Sequence, residues 1–402
     1  MWDVVIIGGG LAGLIAGVRA AGRGKDVILV AAGAGSLSNA SGVLDFGDWK
    51  TLLGKEDHPY YIVGEDNILM AQQSFLASFP QYEGQWGMPN KVLTPLGEVR
   101  PAGLVPRYLS ARPLERAKHI VVVALAGMKD FFPDVFRVNL AKNFPLAGVT
   151  VQEFHPDAFE AWYRNGKSVS AVDYCRFWRS PAGVSYLKEM LVRVGADFHS
   201  AAGTREENCV VFPGLCAGFS KVLQSVLADQ SFSVVETTLF PPSPLGSHLY
   251  ESLCARFKAL GGEVMIGAKV IGSEVKDGVC RQVRVSNAGK ETGMAGVSFV
   301  LASGGLLGGG IEAGPSRVRE PVFGLPLYVP EKWSTPVFVG EQPYAHTGVE
   351  VDSNLCPLDS SGQRILTNVK VCGRMLAHWD PWTEHCGGGV SLASGILAGD
   401  LV

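Results

Sequence analysis

The spacing of apolar residues changes several times along the chain, and each change marks an element. Asp3 to Ile7 is a short apolar run without alternation, which predicts a strand buried on both faces. Gly8 to Gly10 predicts a turn. Leu11, Leu14, Ile15 and Val18 then recur at helical spacing, so Leu11 to Gly22 predicts a helix that Gly24 terminates. Lys25 to Val30 predicts a second buried strand, followed by a loop of small residues from Ala31 to Ser41. Strand, glycine turn, helix and strand in about 30 residues is the size of a βαβ unit.

From about Pro101 to Pro244 the pattern loosens into Pro- and aromatic-rich stretches with isolated elements. His119 to Ala126 reads as an apolar strand and Cys209 to Phe212 as another. Pro241, Pro242 and Pro244 read as a hinge. Ser247 to Leu260 predicts a helix with Ser247 as N-cap and Gly261 and Gly262 closing it. Val264 to Val270 and Gly278 to Val285 read as strands of a β-meander. Val297 to Leu301 is a further strand that runs into Ala302-Ser303-Gly304-Gly305. The tail, from Cys386-Gly387-Gly388-Gly389-Val390 to Gly399, predicts a helix with a glycine N-terminus. The expected organisation is a discontinuous cofactor domain over 1–104 and 246–402, enclosing an inserted cap lobe over 105–245.

Composition narrows the class. The chain has 402 residues, 47% hydrophobic and 18% charged, which is globular and not disordered. A net charge of −3 gives no electrostatic basis for nucleic-acid binding. The eight cysteines form no C-x-x-C pair, which argues against a zinc or iron–sulfur site of local spacing; no metal is expected. Scattered cysteines read as reduced thiols of a cytosolic chain. The uncharged stretch Val4 to Val18 lacks a basic leader and is broken by glycines. No stretch of 18 or more residues is apolar enough to span a bilayer, so a soluble chain is expected.

The chemistry starts at Gly8-x-Gly10-x-x-Gly13. The motif alone is weak, but here it follows a strand, opens a helix and precedes a second strand. Gly8 permits the tight turn, Gly10 lets a phosphate approach the backbone, and Gly13 lets helix and strand pack closely. The free N–H groups of the first helical turn, with Leu11 and Ala12, then face an anion. The expected fold class is therefore α/β: a Rossmann-like FAD/NAD(P)-binding fold with an inserted cap domain. Such folds usually carry Asp or Glu at the end of the second strand to accept from a ribose. This chain has Ala31 and Ala32 there.

Two more glycine segments, Ala302-Ser303-Gly304-Gly305 and Gly373 with Gly388, Gly389 and Val390, lie far away in sequence. Three such segments imply one site assembled from distant parts of the chain. A helix beginning near Gly388 would aim its positive end at something electron-rich, such as the N1–O2 edge of a reduced flavin. The same glycines also suit close helix packing. Ser41 and Gly42, in a polar loop, offer further donors to a flavin ring, or form a plain loop. Acid–base candidates are His346, Arg319 and His385, with His378, Asp380, Glu384, Arg317 and Glu320 nearby in sequence. An Arg pair can bind a phosphate or carboxylate, or be a solvated surface pair.

Taken together, the N-terminal glycines, the Ala302-Ser303-Gly304 segment and Gly373 resemble flavoproteins of a fumarate reductase–like layout. Ser41-Gly42-Val43-Leu44-Asp45, His58-Pro59-Tyr60, Thr94-Pro95-Leu96-Gly97, Phe240-Pro241-Pro242-Ser243-Pro244-Leu245-Gly246, Arg319-Glu320-Pro321 with Gly324-Leu325, Trp379-Asp380-Pro381 and Cys386-Gly387-Gly388-Gly389-Val390 narrow the likeness. They resemble the B subunits of anaerobic glycerol-3-phosphate dehydrogenases from end to end. The resemblance implies a flavin-dependent oxidoreductase component using FMN, with FAD the alternative. It implies an FAD-bearing catalytic partner, the A subunit, that oxidises sn-glycerol 3-phosphate to dihydroxyacetone phosphate. It also implies an iron–sulfur partner, the C subunit, that reaches the membrane quinone from the cytoplasmic face. The rival readings are a stand-alone flavin dehydrogenase of a small anion, with His346 or Arg319 at the substrate, and a scaffold protein without flavin.

Overall fold

Continuous apolar runs in the chain become the central strands of two parallel sheets. The computed structural model describes residues 1–85, 88–200, 204–315, 317–337 and 339–402. These divide into two compact units: 1–37, 44–78 and 249–402 form one, and 38–43 with 79–248 form the other.

In the first unit, strand Trp2–Ile7 pairs in parallel with Val27–Ala31 on one side and with the latter half of Lys290–Leu301 on the other. Glu263–Ile266 extends the sheet beyond Val27–Ala31, and Val369–Val371 extends it beyond residues 299–301. Val4 to Ile7 and Val27 to Ala31 are buried, as the absence of alternation requires of strands covered on both faces. Helix Leu11–Ala21 crosses between the first two strands, and helix Gly387–Asp400 packs along it through small residues. A Cβ on Gly395 would lie 2.7 Å from the Ala12 carbonyl, and one on Gly399 2.7 Å from that of Ala16.

The meander differs in one detail from its expected form. The run Val264 to Val270 is two strands, Glu263–Ile266 in the parallel sheet and Ala268–Lys276 in an antiparallel one, broken at Gly267 with φ +82°. Lys290–Leu301 belongs to both. Its first half pairs antiparallel with Val279–Asn287, and its second half is the central parallel strand. The helix expected from Ser247 begins at Pro244 and runs to Ala259. Proline suits the first turn, where its missing N–H would have no acceptor. Ser247 is therefore inside the helix, its hydroxyl donating to the Ser243 carbonyl.

The second unit is itself a parallel α/β sheet. The strand order is Val99–Ala102, Asn90–Leu93, Ser233–Thr237, Asn208–Pro213, His119–Leu125, Gly148–Phe154, all parallel except the edge strand Val99–Ala102. Its core contains Ile120, Val122, Phe136, Trp178, Val210 and Phe212, all fully buried. Residues 79–104, expected with the cofactor domain, belong to this unit, because Asn90–Leu93 and Val99–Ala102 hydrogen-bond into its sheet. At the other end the units meet at 248/249, inside helix Pro244–Ala259. All eight cysteines are free thiols.

Candidate cofactor site

The glycine turn sits where the strand order places the carboxyl ends of the parallel strands together. Gly8 has φ +117°, and a Cβ there would lie 2.2 Å from the Ala302 carbonyl oxygen. A Cβ on Gly13 would lie 2.1 Å from the Gly8 carbonyl. Both glycines are required by backbone-to-backbone contact. Gly10 is different: it caps helix Leu11–Ala21 with ordinary φ −79°, and a Cβ there would meet nothing within 4 Å. The helix has no side-chain cap, so the donors of its first turn face this open space. A phosphate fits such a cradle through backbone N–H groups alone. Leu11 is half-buried and Ala12 buried in that first turn.

The second and third glycine segments of the first unit converge on the same turn. The segment after Lys290–Leu301 supplies Ala302 and the Ser303 amide, which flank Gly8. Gly304 has φ +88°. Gly373, at φ +67°, follows Val369–Val371, and its Cβ would lie 2.6 Å from the Cβ of Ala12. Its N–H donates to Ser394 Oγ at 3.0 Å, and Ser394 donates on to the Val390 carbonyl at 2.5 Å. This ties the third segment to the terminal helix.

Gly388 and Gly389, at the start of that helix, are accounted for by close packing, one of the two readings their sequence allowed. A Cβ on Gly388 would lie 2.7 Å from Leu44 Cα, and one on Gly389 1.9 Å from Tyr60 Oη. The Gly389 N–H already donates to the Asp45 carbonyl at 2.9 Å. Val390 is buried. Ser41 and Gly42 belong to the second unit, where the Gly42 carbonyl accepts from Tyr82 Oη at 2.7 Å.

The acid–base candidates are scattered. Arg319 is exposed and donates to Glu312 at 2.6 and 2.9 Å. Arg317 is exposed as well. Glu320 is buried and accepts from the amides of Val322, Phe323 and Leu325. His346 Nε2 lies 3.4 Å from Glu341, and His378 Nε2 lies 2.8 Å from Glu350. His385 is exposed, at φ +50°. Asp380 accepts from the Trp382 amide.

Two groupings were not read from the sequence. The first is His58, Glu384 and Cys386, whose ligating atoms all lie within 4.8 Å of one another. The Tyr60 N–H donates to His58 Nδ1 at 3.0 Å, so the neutral ring carries its proton on Nε2, which faces Glu384 at 3.4 Å. A metal-bound histidine normally donates from its other nitrogen; here that nitrogen accepts. The cluster is therefore a hydrogen-bonded network. Burial pushes the Glu384 carboxyl up, but bonds from His58, Lys55 and the Asp380 amide outweigh it and hold the group down at about 2. Burial pushes the Cys386 thiol up. His58 is 326 residues from Glu384, which hides the cluster from sequence spacing.

The second grouping is Arg374 with Ser303. Arg374 follows Gly373, and a Cβ on Gly305 would lie 3.0 Å from its Cγ. Its guanidinium carbon lies 5.2 and 5.9 Å from the ring centres of Trp379 and Trp382, and Nη2 donates to the Ala345 carbonyl. Nη1 is buried without a hydrogen-bond partner among the described residues, and so is Ser303 Oγ. Burial pushes the guanidinium down to about 10. The open glycine cradle fits an anionic cofactor, and Ser303 and Arg374, next to the glycines that build the turn, each carry a buried polar atom without a partner among the described residues.

Comparison with known proteins agrees with this geometry. Residues 3–390 match the family described as FAD binding domain. That description names FAD, where the sequence-based expectation was FMN; both are flavins. The B subunit of anaerobic glycerol-3-phosphate dehydrogenase of Vibrio cholerae is 30% identical over 98% of this chain and 94% of its own length. The protein of the same name from Yersinia enterocolitica is 30% identical over 100% of this chain and 98% of its own. A solved structure, 3-ketosteroid-delta4-(5alpha)-dehydrogenase from Rhodococcus jostii RHA1, is 12% identical with a TM-score of 0.37, covering 99% of this chain and 96% of that one. The chain belongs to the FAD-binding-domain family of flavin-dependent oxidoreductases and, within it, to the family of anaerobic glycerol-3-phosphate dehydrogenase B subunits.

Proposed function

We propose that this chain is the flavoprotein component of a complex that oxidises sn-glycerol 3-phosphate to dihydroxyacetone phosphate and passes the electrons toward a quinone. The observation that carries the reading is end-to-end likeness to B subunits together with the open cradle at Gly10. Gly8, Gly10, Leu11, Ala12 and Gly13 hold the phosphate, and Gly304 and Gly373 border the ring; Gly388, Gly389 and Val390 pack the terminal helix, and Ser41 and Gly42 belong to the second unit. A bound flavin supplies two-electron redox chemistry. An FAD-bearing partner supplies the substrate site, and an iron–sulfur partner carries electrons to the membrane from its inner face. Among the described residues no helix is long and apolar enough to cross a membrane; in this reading the partners make the membrane contact. Steady-state assays with an artificial acceptor, run with and without the FAD-bearing partner, test the division of labour. Poor turnover by the isolated chain is expected; fast turnover would favour a stand-alone dehydrogenase.

The flavin in this reading is FMN. Ala31 and Ala32 offer no carboxylate to an adenosine ribose, and a charge-assisted bond of that kind contributes roughly 1.5–3 kcal/mol. Release of the flavin by denaturation, followed by its mass, decides between FMN and FAD. Ala31 is buried against Gly9, whose Cβ would lie 2.9 Å from its own, whereas Ala32 is exposed. Ala32→Glu is therefore the substitution expected to raise FAD affinity relative to FMN. Gly10→Asp, which sets a carboxylate against the phosphate, is expected to abolish flavin binding; full occupancy in that variant would defeat the assignment.

A further inference from the structure

Arg374 is held firmly, and although Asp380 lies near enough to favour its charge, one end of the guanidinium makes no hydrogen bond among the described residues. Its aliphatic stem borders Gly305, its face borders two indoles, and Nη2 is fixed on the Ala345 carbonyl. An arginine placed only to fill space between tryptophans would snorkel its remaining donors to water. Here Nη1 is shielded from water and has no acceptor among the described residues, which costs free energy unless a ligand supplies one. Ser303 Oγ is in the same condition.

The backbone places both residues at the glycine turn. Ser303 N would lie 2.8 Å from a Cβ on Gly8, and Gly373, adjacent to Arg374, borders Ala12 in the first helical turn. Gly305 links the two, being two residues from Ser303 and against the Arg374 stem. The open face of Gly10 belongs to the same turn.

We infer that Arg374 and Ser303 form an anion-binding pair beside the glycine turn, which takes a phosphate oxygen of the bound flavin nucleotide. This rests on the flavoprotein reading above and adds the residue that sets the preference for a phosphorylated flavin. Backbone amides offer partial charges only, whereas a phosphate monoester carries about −1.5 to −2 near neutral pH. A desolvated guanidinium is well suited to that charge, through a rigid planar fork of N–H donors that an ammonium lacks. The missing carboxylate after the second strand is consistent with this: the nucleotide is gripped at its phosphate and not at a ribose. Arg374 is a binding residue and transfers no proton or electron.

The test compares FMN, FAD and riboflavin titrated into deflavinated full-length protein, followed by flavin fluorescence. Riboflavin lacks the phosphate and reports the ring site alone. Arg374→Met is expected to weaken binding of whichever nucleotide the wild type holds by about 10- to 100-fold, the range for a charge-assisted bond, with riboflavin changed less than about 3-fold. Arg374→Lys should recover part of the loss, and Ser303→Ala should give a smaller loss of the same selectivity. Circular dichroism of each apo variant reports folding; if Arg374→Met does not fold, Arg374→Lys and Ser303→Ala carry the comparison. An unchanged nucleotide-to-riboflavin ratio in the folded variants overturns the pair while leaving the flavoprotein reading intact. Failure of the wild type to bind any of the three overturns the flavoprotein reading itself.

Discussion

At the carboxyl end of Trp2–Ile7 the chain turns through Gly8 to Gly10 into a helix. At the carboxyl end of Asn208–Pro213, in the second unit, it turns through Gly214 to Cys216 into the short helical segment Ala217–Phe219. Both turns lie at the ends of parallel strands, and both contain left-handed backbone, Gly8 at φ +117° and Cys216 at φ +55°. Their N–H groups end differently. The first turn opens onto free space at Gly10. In the second, Glu236 from the adjacent parallel strand sends its carboxyl to the amides of Cys216 and Ala217, at 2.5 and 2.8 Å. The second unit therefore supplies its own carboxyl acceptor to the turn where the first leaves open space. The sheet architecture alone does not decide which turn is open; the side chain on the neighbouring strand closes the second one.

The largest effect should come from the turn that is built by backbone contact. Gly8→Ala forces a Cβ to 2.2 Å from a carbonyl oxygen at a φ of +117°, with no flexible side chain able to yield. A loss of more than about 3 kcal/mol is expected, read as failure to accumulate folded protein or as a large drop in thermal midpoint. A mild effect would mean that the turn is more plastic than the packing implies.

Next in size is Glu236→Ala, which strands two buried amides. We expect a loss of about 2–3 kcal/mol in urea unfolding. A change below about 0.5 kcal/mol would remove the basis for reading Glu236 as the acceptor that satisfies the turn.

The pH dependence sharpens the same point. Burial pushes the Glu236 carboxyl up to about 7 from 4.5, against the downward pull of its backbone N–H donors. The folded chain then holds more protons than the unfolded chain between those values. The contribution of this group is full below about 4.5 and is lost as pH rises through about 7. Wild-type urea midpoints should fall across that window, and Glu236→Gln, which cannot ionise, should lessen the fall. Equal slopes in the two proteins would show that other groups govern it.

The smallest effect on stability should be that of Gly10→Ala. With φ at −79° and open space around its Cβ, a shift of less than about 1 kcal/mol is expected in the apo protein. Flavin affinity should nevertheless drop by roughly tenfold or more, because the methyl group enters the path of the phosphate. Isothermal titration of the same sample used for unfolding separates the two effects.

The first unit was largely legible in the sequence because its signals are local. Asp3 to Val30 contains strand, glycines, helix and strand in unbroken order, and the terminal helix announces itself by small residues after Cys386. The second sheet was not legible as a sheet. Its strands at Asn90–Leu93, Asn208–Pro213 and Ser233–Thr237 are short, and long irregular stretches separate their pairing partners. Glu236 had a usable signal, since an acid in the apolar run Val234-Val235-Glu236 must find donors or stay neutral. Arg374 was overlooked because its partners follow from the fold: Gly305 and Ala345 lie far from it in sequence. His346, Arg319 and His385 were singled out by residue type alone, and ion pairs or surface exposure account for where they lie.

The strand Lys290–Leu301 has a consequence for the order in which the protein can be made. Residues 2–7 emerge from the ribosome long before their central neighbour, residues 296–301. Ala302, which closes the turn against Gly8, comes later still, and the helix that covers Leu11–Ala21 lies at 387–400. The sheet of the second unit needs only residues 90–237 and can close while the N-terminal strand still waits for its neighbour. The glycine turn is thus completed only by residues almost 300 positions downstream, so a flavin held there has to wait for residues 296–302 to be made.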